Sequence, residues 1–121
     1  MRAWAAGREN VGAVALVGSW ARGEAREDSD VDLVVLTDAE AGDWINELAP
    51  EAEVVRHGTW GVVTERRLRL PSGLEIEVGI APPSWATTSP IDPGTRRVAE
   101  TGFRALYDPD DLLEELACAL R

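Results

Sequence analysis

Residues 18–36 read Gly18-Ser19-Trp20-Ala21-Arg22-Gly23-Glu24-Ala25-Arg26-Glu27-Asp28-Ser29-Asp30-Val31-Asp32-Leu33-Val34-Val35-Leu36. A Gly-Ser pair follows one apolar run, and Asp30 and Asp32 open the next one. Because side chains alternate across a strand, we expect these two carboxylates to point to the same side. Ionised carboxylates on one face repel each other, and a cation between them removes the repulsion. The stretch therefore predicts a site for a divalent metal.

The residues before the two aspartates suit a phosphate. Mg²⁺ takes oxygen ligands and is often shared between one or two carboxylates and substrate phosphates. Gly18 and Ser19 offer free backbone N–H groups and a hydroxyl at a helix start, which favour an anion. Together the two halves predict a site for a nucleotide and its metal.

The same residues carry a family resemblance. The order Gly18-Ser19, then ten residues, then Asp30-Val31-Asp32 resembles the signature of the polymerase-β-like nucleotidyltransferase superfamily. Within it the chain resembles the minimal nucleotidyltransferases, in which pairs such as Arg22-Gly23 and Ser29-Asp30 fill the same places. The resemblance implies a nucleotidyltransferase fold. It also implies Mg²⁺-dependent transfer of a nucleoside monophosphate from a nucleoside triphosphate to a hydroxyl, at a site that holds two metal ions.

The resemblance assigns a role to each matching residue. Asp30 and Asp32 are implied to be catalytic and to bind the metals. Gly18 and Ser19 are implied to hold the β- or γ-phosphate. Arg22 would neutralise triphosphate charge, and Ser29 would cap or orient the loop before the first aspartate, so that both join Gly18 and Ser19 as expected nucleotide-binding residues. These roles are the expectations that the structure has to meet.

The third carboxylate of the site has two candidates. In the wider family this acid is usually an Asp near the end of a later strand, and Glu77 fits that place better than Glu75. We therefore expect Glu77 to be catalytic and to bind metal. If the hairpin at residues 70–74 is tight, however, Arg67 lies opposite Glu77. Arg69 then lies opposite Glu75, and cross-strand ion pairs explain both acids without a metal.

Length, charge and cysteine usage limit the class of protein. The chain has 121 residues, a net charge of −10 and one cysteine. This length predicts one domain, residues 1–121. Non-specific nucleic-acid binding depends on Lys and Arg, so the acidity argues against a nucleic-acid template. The absence of a bilayer-length apolar run and of a signal-peptide core predicts a cytoplasmic protein that does not enter a membrane.

The sequence leaves the identity of the nucleotide, the identity of the acceptor and two alternative functions open. ATP is the first choice of nucleoside triphosphate, and the acceptor is a small molecule or a partner protein. Minimal nucleotidyltransferases often act as antitoxins, so an alternative is a chain that binds or AMPylates a helical toxin partner. A third reading is a degenerate relative that binds nucleotide, or nothing, and serves a structural role, because glutamate replaces the usual aspartate at the third position.

The hydrophobic pattern predicts an α/β to α+β fold, with a mixed β-sheet and helices packed mainly on one face. The predicted strands cover residues 13–17, 31–37, 53–56, 62–70, 74–80 and 104–107. The predicted helices cover residues 2–9, 38–49, 93–100 and 109–120. Asp92-Pro93 and Asp108-Pro109 each predict an N-cap followed by proline at the first helical position.

Two aromatic residues and one histidine need separate comment. Trp20 lies inside the motif and Trp85 just after the strand that carries Glu77, and either ring could stack on a base. Packing in the core is the favoured role for Trp85. His57 stands alone between Arg56 and Gly58, and it is expected to be a residue of the turn bounded by Gly58 and Gly61 rather than a ligand.

Overall fold

The computed structural model of the chain describes residues 11–27, 29–38, 50–60, 62–88 and 90–120. Its strands are β1 (Val11–Val17), β2 (Val31–Thr37), β3 (Glu53–Trp60), β4 (Val63–Arg69), β5 (Glu75–Ala81) and β6 (Phe103–Tyr107). The helices within the described ranges are α1 (Gly18–Arg22), α2 (Pro93–Glu100), α3 (Leu112–Ala119) and a 3₁₀ helix (Pro83–Ala86). The predicted helix at 2–9, and all of the predicted helix at 38–49 except its first residue, lie outside the described residues.

All six strands belong to one sheet, in the order β3-β4-β5-β2-β1-β6. β2 and β5 run parallel, and every other neighbouring pair is antiparallel. The sheet is therefore mixed, as the hydrophobic pattern predicts, and the architecture is that of an α+β nucleotidyltransferase fold.

The sheet has apolar side chains on both faces. One face carries a core built around Val14, Val35 and Leu68. The other face carries a second core, in which Leu36 packs with the 3₁₀ helix, α2 and α3, through residues such as Leu116. The prediction that helices pack on one face is confirmed for these elements. In the part of the chain that is described, no helix combines the length and apolar character needed to cross a membrane.

The prediction that the chain turns at Gly58 is wrong. β3 continues through it, with His57 paired to Arg66 and Gly58 paired to Glu65. The hairpin reverses later, because Trp60 is the last residue of β3 to pair with β4. Pairing with a neighbouring strand supplies the backbone hydrogen bonds of Gly58 and overrides its preference for turns.

The start of α3 also differs from the prediction. Pro109 is not the first helical residue, because the helix begins at Leu112 after Asp111 in a left-handed conformation with φ 57°. The Asp108 carboxylate nevertheless caps the helix, accepting hydrogen bonds from the backbone N–H groups of Leu113 at 3.1 Å and Glu114 at 3.0 Å. The sequence therefore identifies the capping side chain but not the first turn.

Candidate active site

The site begins with a row of charged residues that crosses four strands at one level. Asp32 on β2 pairs with Glu77 on β5, Glu77 pairs with Arg67 on β4, and Arg67 pairs with Arg56 on β3. Residues paired across neighbouring strands point to the same face of a sheet. The parallel pairing of β2 with β5 therefore brings two acids side by side, with two arginines next to them.

The corner between β1 and α1 lies directly beside this row. Val17, the last residue of β1, pairs with Asp32, so Gly18 meets the carboxylate of that aspartate. A Cβ atom on Gly18 would collide with Asp32 Oδ2, and Gly18 also has φ +72°. Glycine is therefore required here for two independent reasons, the left-handed backbone and the close approach of the carboxylate.

Arg67 connects the carboxylates of three acids. Its Nη1 donates to Asp30 Oδ2 at 3.0 Å and to Glu75 Oε1 at 2.8 Å. Its Nη2 donates to Glu77 Oε2 at 3.1 Å. The other oxygen of Glu77 accepts from Arg56 at 3.0 Å. The arginine fork thus ties the loop before β2 to β5, and both glutamates take part in ion pairs.

The register that predicts these ion pairs is confirmed. Arg67 lies opposite Glu77 and Arg69 opposite Glu75, and Gly73 closes the hairpin by donating its N–H to the carbonyl of residue 70 at 2.9 Å. The same register places Glu77 beside Asp32. Glu77 therefore lies between Asp32 on one side and the two arginines, Arg67 and Arg56, on the other.

Burial and charge act differently on two of the acids. The pKa of Asp32 is raised, first by burial and then by the negative charges of Glu77 and Asp30. The pKa of Glu75 is lowered, because Arg67 and then Arg69 hydrogen-bond to its carboxylate. The ion pairs of Arg67 reach Asp30, Glu75 and Glu77 but not Asp32. The charges of Arg67 and Arg22 lower the pKa of Asp32, but burial and the neighbouring acids outweigh them.

The loop before Asp30 is held to α1 by a side chain. Trp20 Nε1 donates to the backbone carbonyl of Ser29 at 3.1 Å. The Ser29 hydroxyl in turn accepts from the backbone N–H of Arg26 at 2.8 Å. The Ser29 hydroxyl therefore holds the loop together, and Trp20 holds the residue that comes just before Asp30.

We expect Trp20→Phe to lower stability by about 1 kcal/mol, because it removes one hydrogen bond to a backbone carbonyl. Activity should fall several-fold as the Asp30 carboxylate loses its position. Thermal unfolding and initial rates measure the two effects. Trp20→Ala separates this role from stacking on a base, since phenylalanine keeps an aromatic face and alanine does not. Normal activity in the Phe variant with a loss only in the Ala variant would contradict the role of the hydrogen bond.

A cavity of about 650 Å³ opens on the helix-covered face. Asp32 and Glu77 are among the residues that line it, together with Trp85, Arg97 and Val98. Ligand pockets have volumes of about 300–1,000 Å³ and combine apolar walls with a few polar groups. Trp85 is buried with 6% exposure, so it forms this wall as a core residue, which agrees with the role favoured from sequence.

The donor set fits a divalent metal by its chemistry. Asp30, Asp32 and Glu77 offer only carboxylate oxygens, and Gly18 leaves space for the Asp32 carboxylate that a Cβ would fill. As placed, however, no group of three or more His, Cys, Asp or Glu side chains among the described residues is arranged to hold a metal ion. Arg67 is bound to two of the three candidate ligands instead.

The remaining predicted residues lie at the edge of this group. Ser19 is half-buried in the first turn of α1. Arg22 hydrogen-bonds to Glu24 at 3.2 Å. Its charge also lowers the pKa of Asp32, but burial and the charges of Glu77 and Asp30 raise that pKa by more. Sequence reasoning paired Arg67 with Glu77 but missed its contact with Asp30, which lies 37 residues away in the chain. No sequence signal reports that contact, since it depends on the order of the strands.

Comparison with known families agrees with this geometry. The family described as a nucleotidyltransferase domain matches residues 4–80. This range covers most of the chain and includes α1, β2, Asp32 and Glu77. The chain therefore belongs to the nucleotidyltransferase domain family, and its general activity is the transfer of a nucleoside monophosphate. No curated protein sequence matches the chain.

Proposed function

We propose that this protein is a Mg²⁺-dependent nucleotidyltransferase that uses a nucleoside triphosphate, ATP first, and a hydroxyl acceptor on a protein or a small molecule. The observation that carries the proposal is the cross-strand pair Asp32–Glu77, which lies beside Gly18 in a chain of the nucleotidyltransferase family. The acidity of the chain, with a net charge of −10, disfavours a nucleic-acid acceptor.

Each site residue has a role in this proposal. Asp30, Asp32 and Glu77 would hold the metal ions, and Gly18 with Ser19 would hold the β- or γ-phosphate. Bound Mg²⁺ would supply positive charge for the attacking and leaving oxygens during the transfer. The cavity next to Asp32 and Glu77 is large enough for a nucleotide.

The reaction requires no covalent intermediate on the protein. The acceptor oxygen forms a bond to the α-phosphorus, the bond from that phosphorus to the bridging oxygen breaks, and pyrophosphate leaves. The hydroxyl proton passes to solvent or to a site carboxylate. Related phosphoryl transfers depend on positioning and electrostatics, which here come from residues on adjacent strands.

Labelled nucleotides test the proposal directly. With Mg²⁺ present, label from an α-³²P nucleoside triphosphate should appear in an acceptor from a cell extract, while label from the γ-³²P form should leave in pyrophosphate. Both are measured as the difference from the same extract incubated with the Asp30→Asn/Asp32→Asn variant. Four nucleotides tested in parallel identify the base. Label in protein or in the small-molecule fraction identifies the acceptor class. Transfer of γ-label would mean phosphoryl transfer and would contradict the proposal.

A binding experiment supplies the control when the acceptor is missing. Nucleoside triphosphate with Mg²⁺ should raise Tm of the wild-type protein, and the Asp30→Asn/Asp32→Asn variant should lose this shift. A shift of equal size in the variant would mean that the nucleotide binds elsewhere. No shift with any nucleotide would favour the degenerate reading.

A further inference from the structure

We propose that Arg67 is a built-in counter-ion of the metal site, which occupies the carboxylates in the metal-free protein and has to leave when a divalent metal binds. It would thereby set how much metal the protein needs. This inference rests on the proposed function, because it assigns the metal to the same carboxylates. It concerns a residue outside the sequence motif.

The first support is the position of the guanidinium. It lies 3.0 Å from Asp30 Oδ2 and 3.1 Å from Glu77 Oε2, so it bridges two candidate ligands that come from different strands. A dication on the same oxygens would face the charge of Arg67 at short range, and like charges at this distance repel strongly. With the arginine in place, no described group of acids is arranged for a metal.

The second support is that Arg67 is held incompletely. Its Nε is buried and has no hydrogen-bond partner among the described residues, and an unpaired buried donor lowers the stability of this position. The side chain is 20% exposed, so the guanidinium has a route to solvent. Its departure would relieve the unpaired donor.

The third support is what the neighbours retain after Arg67 leaves. Glu77 keeps its ion pair with Arg56 at 3.0 Å. Glu75 keeps its ion pair with Arg69 at 3.2 Å. Asp30 has no other ion pair among the described residues, so it becomes the acid most in need of a cation. The network is thus arranged to release Asp30 and to leave both glutamates neutralised.

The consequence is a competition that can be measured. When only a fraction of molecules have a free site, the apparent dissociation constant rises in inverse proportion to that fraction. If Arg67 occupies the site in about nine molecules of ten, its removal should tighten metal binding about tenfold. The direction is diagnostic, because loss of a purely structural ion pair would weaken binding or leave it unchanged.

The test is a titration of the nucleotide-free protein with MnCl₂, with bound Mn²⁺ measured by electron paramagnetic resonance. Arg67→Gln should bind Mn²⁺ about tenfold more tightly than wild type. Arg69→Gln is the matched control, because Arg69 lies on the same strand and, among the described residues, forms its side-chain ion pair with Glu75 and not with a candidate metal ligand. It should bind like wild type. Asp32→Asn should lose the binding.

The outcomes separate this inference from the proposed function. Equal or weaker Mn²⁺ binding in Arg67→Gln, with binding still lost in Asp32→Asn, overturns the role of Arg67 and keeps the metal site. Binding absent from both wild type and Arg67→Gln overturns both. If Arg67→Gln does not fold, Arg67→Lys takes its place, since lysine keeps the charge but not the bidentate fork. Tighter binding by the Lys variant supports the inference, and unchanged or weaker binding overturns it.

Discussion

Replacing Asp32 by asparagine is expected to abolish nucleotidyl transfer, with kcat/KM lowered by about three orders of magnitude or more. Loss of a residue that only orients a metal ligand costs about 10–100-fold, so loss of the ligand itself should cost more. Asp32 is the acid that Gly18 accommodates and that pairs with Glu77. Steady-state rates with Mg²⁺ and nucleotide measure the effect.

The same substitution should stabilise the protein in metal-free buffer at neutral pH. The pKa of Asp32 is raised in the folded state, first by burial and then by Glu77 and Asp30. The contribution of the Asp32 carboxyl group to the stability of the fold is therefore fully present below its unfolded pKa. This contribution is lost as the pH rises through its folded pKa. Asparagine has no charge to lose, so its advantage over wild type should shrink as the pH falls through that window.

Asp38→Asn is the matched control for this variant. It makes the same chemical change just after the other end of β2, where the side chain is exposed. It should keep wild-type activity and show no comparable gain in Tm. Thermal unfolding with a chelator at several pH values distinguishes the two. An Asp32→Asn protein with more than a tenth of wild-type activity would remove Asp32 from the site.

Replacing Gly18 by alanine is expected to lower both stability and activity strongly. A left-handed backbone costs a residue with a Cβ about 1–2 kcal/mol, and overpacking adds about 1–3 kcal/mol. Gly18 meets both conditions, because it has φ +72° and its Cβ would collide with Asp32 Oδ2. The carboxylate has to move, and a misplacement of about 1 Å can cost about 100-fold in rate. Denaturant unfolding and steady-state rates measure the two losses.

Gly23→Ala separates backbone strain from the collision. Gly23 has φ +73°, nearly that of Gly18, but nothing lies within 4 Å of a Cβ placed there. It should lose only about 1–2 kcal/mol and keep most of its activity. Adding Asp32→Ala to Gly18→Ala should restore part of the lost stability, since the colliding oxygens are gone. Equal losses in the two single glycine variants would contradict the collision.

The fold could be predicted in large part from local pattern. β2 has the predicted bounds, and α2 begins after Asp92, which accepts hydrogen bonds from the backbone N–H groups of Gly94 and Thr95. These elements follow from short-range chemistry, namely a run rich in β-branched residues and a capping carboxylate before proline. The prediction that a turn begins at Gly58 was wrong. A glycine indicates only that the backbone is free to turn, whereas pairing with β4 decides whether it does.

The candidate site divides in the same way. Spacing two residues apart indicates that Asp30 and Asp32 share a face, and a tight hairpin indicates that Arg67 opposes Glu77, which the register confirms. The metal and phosphate roles of these residues remain predictions. Only the family resemblance indicated that Glu77 belongs near Asp32. Local pattern gives no sign of it, because the contact requires the parallel pairing of two strands separated by a hairpin.

Residue type and spacing in the sequence were therefore enough to indicate the family and the mixed sheet, and to propose the acidic residues of the candidate site. The contacts of those acids, in contrast, depend on the tertiary structure. The order of the strands places Arg67 within 3.0 Å of Asp30 and brings Gly18 against Asp32. Such contacts arise from strand order and register, which no local pattern encodes, and they decide whether a cation, an arginine or a backbone atom neutralises or accommodates each charge.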